Sequence, residues 1–284
     1  MDKGFWQAIV DTDFAVPNGE SLPALTRELL SLLGSTDAEL RDTYAYPILC
    51  AWLHRGEYSP DEMRSLVARL AENLMAGLGD EETDTVFLRT FSVLILAEIV
   101  HEDNQRPFLA EAEAQQLFEL ALAYLAAEND VRGWVPGKGW AHSVAHTGDL
   151  LWVLACSRYL GGADLERLLD GIAVKLLASA AHPFLCDEDE RLAQPVIAVL
   201  QRNLVAPQFV GAWITRLAQP AEQQAWADAF LDGERLVARV NVKQFLRSLY
   251  LQLALSETMP ASAAEIVPGL RAAVKSMSEW YIRQ

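Results

Sequence analysis

Basic charge is scarce in this chain: 23 Lys and Arg stand against 39 Asp and Glu, for a net charge of −16. Nucleic-acid binding neutralises phosphates with Lys and Arg, so a chain this acidic is expected to have no nucleic-acid partner. An anionic membrane surface is disfavoured for the same reason. Long apolar runs are missing too. Phe91 to Val100 is broken by Glu98, and Leu150 to Leu160 by Arg158. Both fall short of the ~20 apolar residues that span a bilayer. The opening Met1-Asp2-Lys3-Gly4-Phe5-Trp6 lacks the basic-then-apolar plan of a signal peptide. Cysteine is sparse: Cys50, Cys156 and Cys186 are odd in number and far apart. They read as small core residues in a reducing compartment. No run of β-branched residues at period two, bounded by turns, suggests a strand. The expectation from these deficits is a cytoplasmic protein without a membrane span or a disulfide framework.

What is present has the helical period. Met63, Leu66, Val67, Leu70 and Leu74 fall on one face at the 3–4 spacing, as do Leu165, Leu168, Leu169, Ile172 and Leu176. Phe87, Phe91, Leu94 and Ile95 make a third stripe, and Leu117, Phe118, Ala121, Tyr124 and Leu125 a fourth. Ser59-Pro60-Asp61-Glu62 combines an N-cap serine, proline at the first helical position and a glutamate placed for a capping box. Ser35-Thr36-Asp37 can cap a helix carrying Leu40 to Leu53, and Gly34 and Gly79 sit where left-handed C-cap residues are wanted. Trp6, Trp52, Trp213, Trp226 and Trp280 read as packing residues.

The helices pair. First helices of successive pairs are expected near Asp37, Glu82, Trp140, Glu188 and Glu234, a spacing of about 45 to 60 residues, close to the ~40–47 of HEAT and armadillo repeats. The fold class expected is all-α, a solenoid of antiparallel helix pairs forming one domain over residues 1–284. An α/α toroid or irregular bundle is the alternative. Arg41, Arg89 and Arg191 each follow an acidic cluster at such a start and can form an Asp–Arg ladder along the stack.

The segment from Asp130 to Leu151 differs in kind. Gly133, Gly137, Gly139, Pro136, Trp134 and Trp140 predict an ordered, tightly turned loop, with a helix starting near Gly139 or Trp140. On that helix His142, His146 and Asp149 fall at i, i+4 and i+7, within an arc of roughly 60°. Two chemical readings follow beside a purely structural one, in which these side chains hydrogen-bond the loop and the next repeat. Two histidines one turn apart can chelate a divalent metal such as zinc, with Asp149 as third ligand or support. His182, or a carboxylate among Asp187, Glu188 and Asp189, could complete the set. Without metal, a histidine tuned by Asp149 can do acid–base or ligand-binding work. The zinc-protease motif is excluded, because Ser143 stands where its glutamate base belongs.

Gly137-Lys138-Gly139 is not a phosphate loop: the spacing is wrong, Gly139 replaces the magnesium-binding Ser or Thr, and no strand precedes it. Glycine amides, Arg132 and Lys138 near a helix N-terminus still suit an anionic group. The acidic run Asp187 to Glu190 suits a helix N-terminus. If His146 lines a groove, truncation to Ala costs under about 2 kcal/mol, whereas a buried, hydrogen-bonded histidine costs more.

The run from Arg132 to His142, with His146 and Asp149, resembles the signature of a bacterial family known as domain of unknown function 2785. Phe14-Ala15-Val16-Pro17, Leu40-Arg41-Asp42 and Asp189-Glu190-Arg191-Leu192-Ala193 are similar to it as well. The resemblance implies an all-helical protein and carries no catalytic role to any residue. Two functions stay open. One is a module binding a peptide, protein or small anionic ligand in a concave groove floored by Arg132, Trp134, Lys138, Trp140, His142, His146 and Asp149, with Arg191 opposite. The other is a metal-dependent hydrolase using His142, His146 and Asp149.

Overall fold

The computed structural model describes residues 1–178, 180–221 and 226–278. Trp280 lies outside the described residues. Helices dominate: α1 (Lys3–Asp11), α2 (Leu22–Leu32), a π-helical segment (Glu39–Ala45), α3 (Tyr46–Arg55), α4 (Pro60–Leu74), α5 (Thr85–Gln105), α6 (Glu111–Ala127), α7 (Ser143–Ala155), α8 (Gly162–Leu177), α9 (Glu188–Arg202), α10 (Pro207–Ala218), α11 (Gly233–Leu255) and α12 (Ala263–Ser276). The fold class is all-α. Among the described residues no helix is long and apolar enough to cross a membrane.

Local signals explain several boundaries. The Ser59 hydroxyl accepts the Glu62 amide while the Glu62 carboxylate accepts the Ser59 amide, so the capping box forms. Ser35 Oγ accepts the Asp37 amide and Asp37 accepts that of Glu39, so the expected cap forms, although the first turns beyond it are π-helical. Gly79 is left-handed, but Gly34 is not; the glycine that ends a helix that way is Gly56, after α3. At Gly34 a Cβ would meet Leu88 Cβ at 3.1 Å, so close approach to α5 is what the glycine supplies.

Burial follows the helical stripes. On α6 and α8 every predicted stripe residue is buried, and on α4 Leu66, Leu70 and Leu74 are buried while Met63 and Val67 are half-buried. Helix α5 is apolar nearly all round, and every residue from Val86 to Ala97 except Leu88 is buried. Such a helix belongs in the middle. It contacts α3 and α4 on one side and α7 on the other; α7 contacts α9, and α9 contacts α11. A second series runs α6 to α8, α8 to α10 and α10 to α12. One apolar cluster extends through both, from Trp6 to Met277, with Trp6, Trp52 and Trp213 fully buried and Trp226 packed at its margin.

The cysteines behave as core filler only in part: Cys50 packs against the apolar cluster. Cys156 is exposed at the end of α7, and Cys50 and Cys186 are half-buried. The three arginines do not join in one ladder either. Arg89 is fully buried against Glu128 and the Ala76 and Gly77 carbonyls, Arg41 is buried against Asp42 and two carbonyls, and Arg191 pairs with Asp149 of the preceding helix pair.

Candidate functional site

The segment ahead of α7 is a hairpin. Strand β1 (Trp134–Val135) pairs antiparallel with β2 (Gly139–Trp140), Trp134 opposite Trp140. Gly137 and Gly139 at φ 77° and 83° make the turn, a backbone region glycine enters without strain. Amides of Ala141 and His142 then donate to Gly133 O and Arg132 O, continuing the pairing and delaying the helix to Ser143 rather than Gly139 or Trp140. Two-residue strands have no periodicity for a sequence to display.

Internal partners claim the cations of this loop. Arg132 is held by Asp130 (Nε to Oδ1, 2.8 Å) and by Thr83 O, and Lys138 Nζ contacts both Asp84 oxygens at 2.6 and 2.8 Å. Arg41 donates to Lys138 O at 2.7 Å, tying the turn to the chain's first third. Arg132 and Lys138 therefore already have anions, and they are carboxylates of this chain.

His142 caps α7 in the left-handed conformation, φ 56°. Its ring stacks on Trp140, centroids 4.4 Å apart, and Nε2 donates to Cys186 O at 2.6 Å. Glu188 Oε1 lies 3.6 Å from the same nitrogen. Burial pushes its pKa below the ordinary histidine range. One turn on, His146 points into the core. Its Nδ1 shares a 2.8 Å hydrogen bond with the Thr90 hydroxyl, and its ring meets Phe91 and His142 edge-on. Full burial, and then the charges of His142, Arg191 and Arg41, hold it well below its usual pKa. A neutral, buried, hydrogen-bonded imidazole is a structural part, and the groove-lining expectation for His146 is corrected on that ground.

Asp149 faces α9. Gly148 lets α7 and α9 touch, since a Cβ there would sit 3.0 Å from the Arg191 carbonyl, and this closeness brings the Arg191 guanidinium to 3.2 Å from Asp149. Burial nevertheless wins over that cation: the Asp149 carboxyl is pushed up to about 7, with Glu98 adding to the rise.

The family described as "Protein of unknown function (DUF2785)" matches residues 74–251, well over half of the chain and the whole of this region. The chain belongs to that family. Comparison with curated proteins and with solved structures gives no match. Membership in DUF2785 extends across the hairpin, α7, α9 and Arg191, while Phe14 to Pro17 and Leu40 to Asp42 lie outside the matched span.

The expected site residues of this family member are thus split. Trp134, Trp140 and His142 come together; His146 turns inward; Asp149 pairs with Arg191 of α9. Among the described residues the group of three metal-ligating side chains whose donor atoms lie within 4.8 Å of one another is His142, Cys186 and Glu188. Glu188 was a candidate partner from the sequence; Cys186 was not. His182 pairs with Glu82 at 3.2 Å instead, and Asp189 with Ser248. A cavity of about 1150 Å³ opens between α2, α4 and the start of α5, lined by Thr26, Leu30, Leu66, Asn73 and Leu88 among others. The Arg132 to Asp149 segment does not line it.

Proposed function

We propose that this chain is a cytoplasmic helical-repeat binding module, one domain over residues 1–284, that docks a protein partner on the apolar patch around the hairpin. One observation carries the reading. Trp134 and Trp140 on the hairpin are 54% and 37% exposed, and Leu185 in the α8–α9 connection is 74% exposed. Leu185 is grouped with them because its chain neighbour Cys186 lies against Gly133, the residue before Trp134, where a Cβ would sit 2.8 Å from the thiol sulfur. Exposed tryptophans held rigid by stacking suit interface anchors: they bury much area and lose little conformational freedom on binding. Grouped exposed apolar side chains of this size mark contact surfaces.

The repeat reading is supported by the spacing of contacts between helix pairs. Arg64–Glu113, Arg167–Glu119 and Arg216–Asp170 join residues 49, 48 and 46 apart. Stacked helix pairs in a solenoid make such contacts with their neighbours. A net charge of −16 favours a partner whose rim is basic. A small anionic ligand is the weaker choice, because Asp130 and Asp84 already neutralise Arg132 and Lys138. A hydrolase built on His142, His146 and Asp149 together is not favoured, since His146 is buried against Thr90 and Asp149 faces Arg191.

Photo-crosslinking tests the proposal. A crosslinking residue at Trp134 should trap one defined protein in cells, and the adduct should disappear with Leu185→Asp. The same residue at Val174 on α8, 61% exposed, should trap nothing comparable. Equal adducts from both positions would refute the docking surface.

A further inference from the structure

We propose that His142, Cys186 and Glu188 form a binding site for one divalent metal ion of the zinc class. The three residues are 44 and 46 positions apart and meet because α7 and α9 pack side by side with their N-termini together. Their donor atoms already lie within 4.8 Å of one another, with His142 Nε2 and Glu188 Oε1 at 3.6 Å. Zinc bonds of about 2.0 to 2.3 Å in a tetrahedron place donors roughly 3.5 Å apart.

Three further features fit a built site. A Cβ on Gly133 would lie 2.6 Å from Glu188 Oε1 and 2.8 Å from Cys186 Sγ, so any other residue there would fill the space beside the thiol and the carboxylate. Asp187, between the two ligands, is left-handed at φ 64° and turns both neighbours toward His142. Non-glycine residues in that region carry strain, and His142 itself is a second case. The Cys186 amide donates to Glu188 Oε2 at 2.8 Å, leaving Oε1 for the metal, and Trp140 holds the imidazole plane.

The donor set selects the ion. Thiolate and imidazole with one carboxylate suit zinc and its neighbours, whereas magnesium and calcium take oxygen. On binding, the Cys186 thiol releases its proton to solvent. The His142 proton moves from Nε2 to Nδ1, and the bond to Cys186 O is given up. Three protein ligands leave a fourth position for water. The inference is independent of the docking surface, which concerns the side chains above the site.

Cobalt(II) titration of the full-length protein tests it, because a thiolate ligand gives a charge-transfer band in the near ultraviolet. The expected result is one cobalt per chain, with a band lost in Cys186→Ser and kept in Cys156→Ser and Cys50→Ser. Glu188→Gln and His142→Ala should each weaken binding at least tenfold, with circular dichroism confirming the fold. Absence of stoichiometric cobalt, or a band that survives Cys186→Ser, overturns the site. If Cys186→Ser fails to fold, unchanged affinity in Glu188→Gln overturns it equally. Loss of the partner adduct with cobalt binding intact would strike only the docking proposal.

Discussion

Asp149 makes stability fall as pH rises. Its carboxyl sits mostly buried, 16% exposed, and titrates near 7 instead of 3.8. The folded state therefore binds the proton more tightly than the unfolded chain. Below pH 3.8 both states are protonated. Between 3.8 and 7 the unfolded carboxyl ionises while the folded one does not, so the folded state loses ground with each pH unit, and above 7 the loss is complete. From pH 5 to pH 8 about two units of that window are crossed, worth about 2 to 3 kcal/mol at about 1.36 kcal/mol per unit. Asp149→Asn keeps the shape and removes the titration. Urea unfolding of both proteins at pH 5 and pH 8 isolates the effect from the many other carboxylates, which are common to both. The wild type should lose about 2 to 3 kcal/mol more than the variant across that interval. Identical pH dependence in the two proteins would refute the burial argument, and a wild type that gains on the variant as pH rises would show that Arg191 wins instead.

Other perturbations have equally definite outcomes. His146→Ala should cost about 3 kcal/mol or more in chemical unfolding, from a ring-sized void and an unpaired Thr90 hydroxyl; a cost under about 1 kcal/mol would contradict its buried role. Glu128→Gln strips the counter-charge from Arg89, which is fully buried and contacts Glu128 at 2.5 and 2.8 Å. The expected loss is about 3 to 5 kcal/mol by the same assay, and a surface-like value of a few tenths would refute it. Gly133→Ala forces a methyl against Glu188 and Cys186, and thermal unfolding should show a loss of about 1 to 3 kcal/mol; an unchanged melting temperature would mean that the hairpin does not press on α9.

Helices were legible because their apolar positions repeat at the helical period and their starts carry caps. The stripes on α6 and α8 and the capping box at Ser59 and Glu62 appear as the residues predict. Helix α5 was legible only as a stripe, because a helix buried all round has no polar face to give it a direction. The site was half legible. His142, His146 and Asp149 stood out as an unusual stripe, but their roles depend on what α9 and the hairpin bring to them. His142 leaves the helix as a left-handed cap, after its amide and that of Ala141 extend the pairing begun in the hairpin. Cys186 meets His142 across 44 residues, and its trace in the sequence is indirect: Gly133 and Gly148, the small residues that permit close contact. An isolated cysteine ahead of an acidic run reads as filler until the partner helix is placed.

Hydrogen-exchange mass spectrometry of the isolated partner complex tests the central claim most directly. Docking on the hairpin patch predicts slowed exchange in residues 132–142 and 183–188, with α8 and α10 unchanged. Protection confined to α8 and α10, or to the cavity between α2 and α4, would contradict it.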